Sequence, residues 1–131
     1  MPASKRVLLV NDDKKDSDKI KEMFKNTGVK ISTAGSEFGM FNTIEEYGKT
    51  ADMVVIDLEL KKSDGLELVD KLRHNDKYKD LPVVVLGETV GTDTILKIKE
   101  MNVNSLVKKP INRDLLVDRV RSILKLKPNN K

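Results

Sequence analysis

A chain of 131 residues suits one domain, large enough to bury a core without disulfide or metal staples. Cysteine is absent, which excludes a disulfide framework, a thiol nucleophile and a thiolate zinc site. The net charge is +4, yet 25 basic residues are scattered among 21 acidic ones, aromatics are 4% and tryptophan is missing, so a solvated surface explains the lysines better than a nucleic-acid face.

The first predicted strand is Val7-Leu8-Leu9-Val10, a continuous apolar run of the kind covered on both faces in a parallel sheet. It is too short for a signal-peptide core or a membrane span, so the cytoplasm is the default expectation, with no membrane partner. Ile20, Met23, Phe24 and Thr27 follow at helical spacing, with Gly28 placed to end the helix. Val29-Lys30-Ile31-Ser32 alternates, as a half-covered strand near an edge would. Phe38, Phe41, Ile44 and Tyr47 make a second helical stripe, closed by Gly48. Met53-Val54-Val55-Ile56 is a third strand, and Leu66, Val69 and Leu72 mark the helix after it. His74, the only histidine, falls near the end of that helix and reads as a surface residue. Val83-Val84-Val85-Leu86 is the fourth strand, followed by a helix carrying Ile95, Ile98 and Met101. Ser105-Leu106-Val107 is a short fifth strand, and Leu116, Val120, Ile123 and Leu124 form the last helix, stopped by Pro128.

Strand and helix thus alternate five times, which predicts an α/β fold with a parallel sheet between two helical layers, doubly wound by right-handed crossovers. In such sheets ligands bind at the carboxyl ends of the strands. There the sequence offers Asn11-Asp12-Asp13 after the first strand, Asp57 after the third and Lys108-Lys109-Pro110 after the fifth. Converging carboxylates repel one another unless a cation sits among them, and hard oxygen donors suit Mg²⁺. A metal, a carboxylate and a lysine together would serve phosphoryl transfer to Asp57. Each element also has an ordinary reading: the Asp pair as a loop feature or helix cap, Asp57 as a strand end, Lys109 as surface charge and Pro110 as the start of a helix.

Four segments carry a resemblance: Val10-Asn11-Asp12-Asp13, Val54-Val55-Ile56-Asp57-Leu58 with Asp64-Gly65 beyond it, Leu81-Pro82-Val83, and Lys108-Lys109-Pro110. The chain resembles the response-regulator receiver family of two-component signalling, in the chemotaxis-type single-domain layout, from about Lys5 to Leu124. The resemblance implies a flavodoxin-like (βα)5 fold with strand order 2-1-3-4-5, in one domain over residues 1–131, with 125–131 a basic tail or truncated linker. It implies that Asp57 is the phosphoacceptor and that Asp12 and Asp13 position Mg²⁺ with the backbone carbonyl of Glu59. Lys109 would contact the phosphoryl group, a cis peptide would precede Pro110, and Asp64 would cap the third helix. The implied partners are a sensor histidine kinase or phosphotransfer protein and a downstream protein target. The output surface would run over the fourth helix, fifth strand and fifth helix, roughly Thr92 to Leu124. A monomer or weak dimer is expected, acting as a signalling domain that catalyses its own aspartyl phosphorylation and dephosphorylation.

Several positions depart from the family pattern. Gly87 stands where a Ser or Thr hydroxyl would bond the phosphoryl group, a contact typically worth ~1.5–3 kcal/mol. Thr89 lies two residues on, and the N–H of Glu88 remains a donor. Leu106 replaces the aromatic residue that usually moves with that hydroxyl, so the switch is expected to be atypical. Lys61 replaces a proline common after the phosphoacceptor, and the loop Leu60–Ser63 is expected to be loose. Glu59 and Glu88 add acids that could ligate metal through water, steer hydrolysis or repel an incoming phosphoryl group. These departures motivate an alternative, a degenerate receiver that binds proteins independently of phosphorylation. A carboxylate-dependent phosphatase fails on spacing, because Asp12-Asp13 is followed by Lys14-Lys15. A flavin-binding protein fails because Asn11 to Asp16 is acidic rather than rich in Ser, Thr and Gly. Arg113, Arg119 and Arg121 are explained by a solvated helix face as well as by DNA contact.

Overall fold

The structure, a computed structural model, describes residues 4–126. In chain order its elements are β1 (Lys5–Val10), α1 (Lys14–Met23), β2 (Val29–Ala34), α2 (Glu37–Thr43), β3 (Glu45–Glu46), β4 (Lys49–Thr50), β5 (Met53–Asp57), α3 (Gly65–Arg73), β6 (Val83–Gly87), α4 (Thr92–Glu100), β7 (Ser105–Lys108) and α5 (Arg113–Ile123). Five strands form one parallel sheet in the order β2-β1-β5-β6-β7. This is the predicted doubly wound arrangement, with the short β3–β4 hairpin added before the third long strand.

Side chains alternate across the sheet, so each apolar run feeds two cores. Val7, Leu9, Met53, Val55, Val84 and Leu86 face α1 and α5, where they meet Ile20, Phe24, Leu116 and Val120. Leu8, Val10, Val54, Ile56, Val83 and Val85 face the opposite layer, with Met40 from α2, Leu68 and Leu72 from α3 and Ile98 from α4. Burial of each such side chain contributes about 1.5–3 kcal/mol relative to exposure. The central strands carry continuous apolar runs, at residues 7–10, 53–56 and 83–86, because both faces are covered, whereas edge strand β2 is buried only at its ends, Val29 and Ala34.

Two helical stripes end earlier than the spacing predicts. Helix α1 stops at Met23, and the Thr27 hydroxyl donates to the Phe24 carbonyl (2.6 Å), which places Thr27 in the turn that follows. Helix α2 stops at Thr43, and Tyr47-Gly48 forms the turn of the β3–β4 hairpin, with both φ angles positive (54° and 78°) as a type I′ turn requires. Tyr47 consequently lies on the surface, and Phe38, in the first turn of α2, is exposed as well, so both fall outside the core the stripe implied. A distant side chain holds the chain as it leaves the helix: the Arg6 guanidinium donates to the carbonyls of Thr43 (2.9 Å), Ile44 (2.8 Å) and Lys49 (3.2 Å). A second arginine works similarly, with Arg73 donating to the carbonyls of Met101 (2.7 Å), Leu81 (2.8 Å) and Lys79 (3.1 Å), which joins α3 to the segments around β6. Helix α5 ends at Ile123, Lys125 and Leu126 turn back on its last carbonyls, and Pro128 with the rest of the basic tail (127–131) lies outside the described residues.

Helix α3 begins hard against the end of β5. The Asp64 carboxylate accepts from Leu66 N (2.9 Å) as the helix cap, and Gly65 is the one residue that fits next. A Cβ there would lie 2.4 Å from the Asp57 carbonyl oxygen and 2.8 Å from Leu58 Cα, both backbone atoms that cannot swing aside. Gly65→Ala is therefore expected to lower the unfolding free energy by about 1–3 kcal/mol, read as a lower urea midpoint with unchanged slope.

Candidate functional site

Asp57 closes β5 at the carboxyl edge of the sheet and is 2% exposed, a buried carboxylate that needs partners. Its Oδ1 accepts from Glu59 N (2.7 Å) and Lys109 Nζ (2.9 Å). Its Oδ2 accepts from Asn11 Nδ2 (2.9 Å) and lies 2.9 Å from the same ammonium. The Asn11 amide is held the right way round, because its oxygen accepts from Asp13 N (2.8 Å) and the Ser17 hydroxyl (3.2 Å). Asn11 received no role from the sequence, although it stands first in the polar run after β1. Its one signal was an amide in an otherwise acidic segment.

Lys109 follows β7, and the Lys109–Pro110 peptide is cis. Besides Asp57, its ammonium bonds Glu59 Oε1 at 2.9 Å. Burial pushes the Lys109 ammonium down, but its hydrogen bonds to Asp57 and Glu59 outweigh that and hold its pKa above the ordinary lysine value. Glu59 is affected in the matching sense: burial raises it, whereas Lys109 and the N–H groups of Glu88 and Thr89 lower it further, so it stays ionised below the usual range. Both Glu59 oxygens accept from Glu88 N, at 2.8 and 3.0 Å. The Glu59 carboxylate sits beside Gly87, where a Cβ would approach Glu59 Oε2 at 3.5 Å, Leu58 Cδ1 at 3.1 Å and Val90 Cγ2 at 2.9 Å. Leu106 is half-buried against the core beneath, and Glu88 and Thr89 are exposed.

The remaining acids are already engaged. The Asp12 carboxylate accepts from Lys61 N (2.7 Å) and Lys62 N (3.1 Å), across from β1 to the loop after Asp57. Asp13 caps α1 by accepting from Asp16 N (3.1 Å), and it pairs with Lys61 Nζ at 3.0 Å. Those bonds, led by the one from Asp16 N, hold the Asp13 carboxyl below its ordinary pKa. The loop at Lys61, expected to be loose, is tied at three points in this structure. A proline there would have no N–H to give, whereas Lys61 ties the loop to β1 with its backbone and to α1 with its side chain.

Among the described residues, no group of three or more acidic or histidine side chains is arranged to hold a metal ion. The hard donors at this edge are the carboxylates of Asp12, Asp13 and Asp57 and the main-chain oxygen of Glu59, each carboxylate already bonded within the protein but with lone pairs to spare. That set still fits Mg²⁺, which is commonly bound through one or two carboxylates and keeps several waters. An open cleft of about 330 Å³ leads to Asp57 between α1 and the segment after β7, lined by Asn11, Lys19, Ile20, Lys109 and Pro110 among others.

Comparison with known proteins agrees with this geometry. The family described as "Response regulator receiver domain" matches residues 7–121. Response regulator Rcp1 of Synechocystis sp. is 29% identical over 126 residues, covering 91% of this chain and 86% of that protein. The sensor histidine kinase CheAY of Helicobacter pylori is 23% identical over 125 residues, covering 95% of this chain but 16% of that protein. Among solved structures, chemotaxis protein CheY4 of Vibrio cholerae superposes with a TM-score of 0.82 at 19% identity, covering 92% of this chain and 99% of that one. The chain belongs to the receiver domains of two-component response regulators. No helix among the described residues is long and apolar enough to cross a membrane.

Asn11 gives the site its first test. Asn11→Ala removes a hydrogen bond to a buried charge, so it is expected to cost about 1.5–3 kcal/mol in chemical denaturation, more than a surface Asn→Ala change.

Proposed function

We propose that this receiver domain takes a phosphoryl group onto Asp57 from a histidine kinase or phosphotransfer protein and passes the signal to a protein target through the surface of α4, β7 and α5. The observation that carries this reading is the buried Asp57 carboxylate at the floor of an open cleft, held between the Asn11 amide and the Lys109 ammonium. In the step itself an Asp57 oxygen forms a bond to phosphorus while the bond from phosphorus to the donor's imidazole nitrogen breaks, and the imidazole keeps the electron pair. Asn11 and the N–H of Glu59 steady the carboxylate. Lys109 moves from Asp57 to the phosphoryl oxygens, whose charge it partly offsets.

Mg²⁺, when bound, would neutralise charge on the phosphoryl oxygens, and Asp12, Asp13, Asp57 and the main-chain oxygen of Glu59 are the residues to hold it. Asp13 would do so while also capping α1. We take the domain to be one receiver unit with its core over about residues 5–124, working in the cytoplasm as a monomer or weak dimer. It carries its own acceptor chemistry rather than acting on an outside substrate. A second reading, phosphorylation-independent protein binding, is favoured by Gly87 and Leu106, which leave the usual hydroxyl and aromatic pair without counterparts.

Incubation with Mg²⁺ and a small acyl-phosphate donor, read by intact mass, tests the first reading. The expected result is a phosphate-sized increase that requires Mg²⁺ and is absent from Asp57→Asn. Lys109→Ala is expected to slow adduct formation on the order of 100-fold. If neither an acyl phosphate nor a histidine-kinase donor with rapid quenching gives an adduct, the protein-binding reading takes its place.

A further inference from the structure

The donors that a phosphoryl group on Asp57 would need are already taken by an anion. Glu59 Oε1 lies 2.9 Å from Lys109 Nζ, and both Glu59 oxygens accept from Glu88 N at 2.8 and 3.0 Å. The ammonium also bonds Asp57 from the β7 side, and the N–H belongs to the residue that follows β6. Gly87 lies beside this carboxylate, and a Cβ there would meet Glu59 Oε2 at an ordinary contact distance of 3.5 Å. Glu59 itself leaves β5 two residues after Asp57, whose Oδ1 accepts from Glu59 N (2.7 Å), so acceptor and internal anion share one short stretch of chain.

We propose that Glu59 is an internal stand-in for the phosphoryl group: its carboxylate occupies Lys109 and the Glu88 N–H in the unmodified domain, and phosphorylation of Asp57 proceeds by displacing it. This rests on Asp57 being the phosphoacceptor. An arriving phosphoryl group brings two or more charged oxygens to donors that can satisfy one anion well, so Glu59 is repelled and swings outward. The segment after β6, which Glu59 holds through Glu88 N, is then released or re-bonded to the phosphoryl oxygens. Displacement of Glu59 thereby supplies a route from Asp57 to α4 that uses neither a hydroxyl at position 87 nor an aromatic residue at position 106.

The test compares the wild-type chain with Glu59→Gln, which keeps the size and removes the charge, and Glu59→Ala. In the unmodified proteins, the Glu88 amide resonance and its hydrogen exchange report the bond. Both variants are expected to shift that resonance and speed its exchange, and added acetate is expected to restore the wild-type shift in Glu59→Ala alone. With Mg²⁺ and a small acyl-phosphate donor, Glu59→Gln is expected to acquire the adduct faster than wild type, on the order of tenfold. An unmoved Glu88 resonance, or an adduct that forms at equal or slower rates in Glu59→Gln, overturns the proposal while leaving Asp57 as acceptor. Absence of an adduct from every chain, with a histidine-kinase donor as well, overturns the acceptor reading and this inference with it.

Discussion

The carboxyl edge of this domain is organised by one ammonium group. Lys109 reaches across from the segment after the edge strand to a carboxylate 52 positions earlier, passing over the end of β6. Asp57 has almost no access to water, with its side chain 3% exposed, so its charge is tolerable only while Lys109, Asn11 and the Glu59 N–H surround it. Removal of one partner from a buried pair commonly costs ~3–5 kcal/mol, because the survivor is left charged without compensation. The same ammonium also fixes Glu59, and Glu59 fixes Glu88, so the loops after β5, β6 and β7 share a single electrostatic anchor.

Around that anchor the chain replaces familiar parts with local solutions. Lys61 is the clearest case. Where a ring would stiffen the loop by restricting φ, this sequence stiffens it with a backbone donor to Asp12 and a side-chain partner for Asp13. Two acids of the first loop are thereby held in separate tasks. Asp12 accepts from the backbone of the loop after Asp57, whereas Asp13 pairs with the Lys61 side chain and caps α1, where a carboxylate also suits the positive end of the helix dipole.

Much of this was legible in the sequence because it depends on periodicity. Runs such as Val83 to Leu86 can be buried on both faces only in a covered sheet, and the alternation of Val29 to Ser32 announces an edge. The strand-end rule points to Asp57 and Lys109 in the same way. What spacing could not convey were contacts set by long side chains over large separations. The stripe from Phe38 to Tyr47 is a fair helical pattern, and its far end is lost where Arg6, some forty positions earlier, bonds the carbonyls at the helix end. The role of Asn11 was hidden for another reason: a polar residue between a strand and two acids looks like loop filler until its amide is seen on Asp57. Glu59 was noticed as an extra acid, but its partner Glu88 N is a backbone atom and has no signature in the amino-acid code.

The packing around Gly87 also constrains how such a site can evolve. A serine or threonine there would press its Cβ against Val90 Cγ2 and Leu58 Cδ1, while meeting Glu59 at ordinary contact distance. A hydroxyl at position 87 therefore needs smaller or displaced neighbours, whatever stands at position 59. Positions 58, 87 and 90 should change together in lineages of this domain, a sign of epistasis that arises from contact geometry alone.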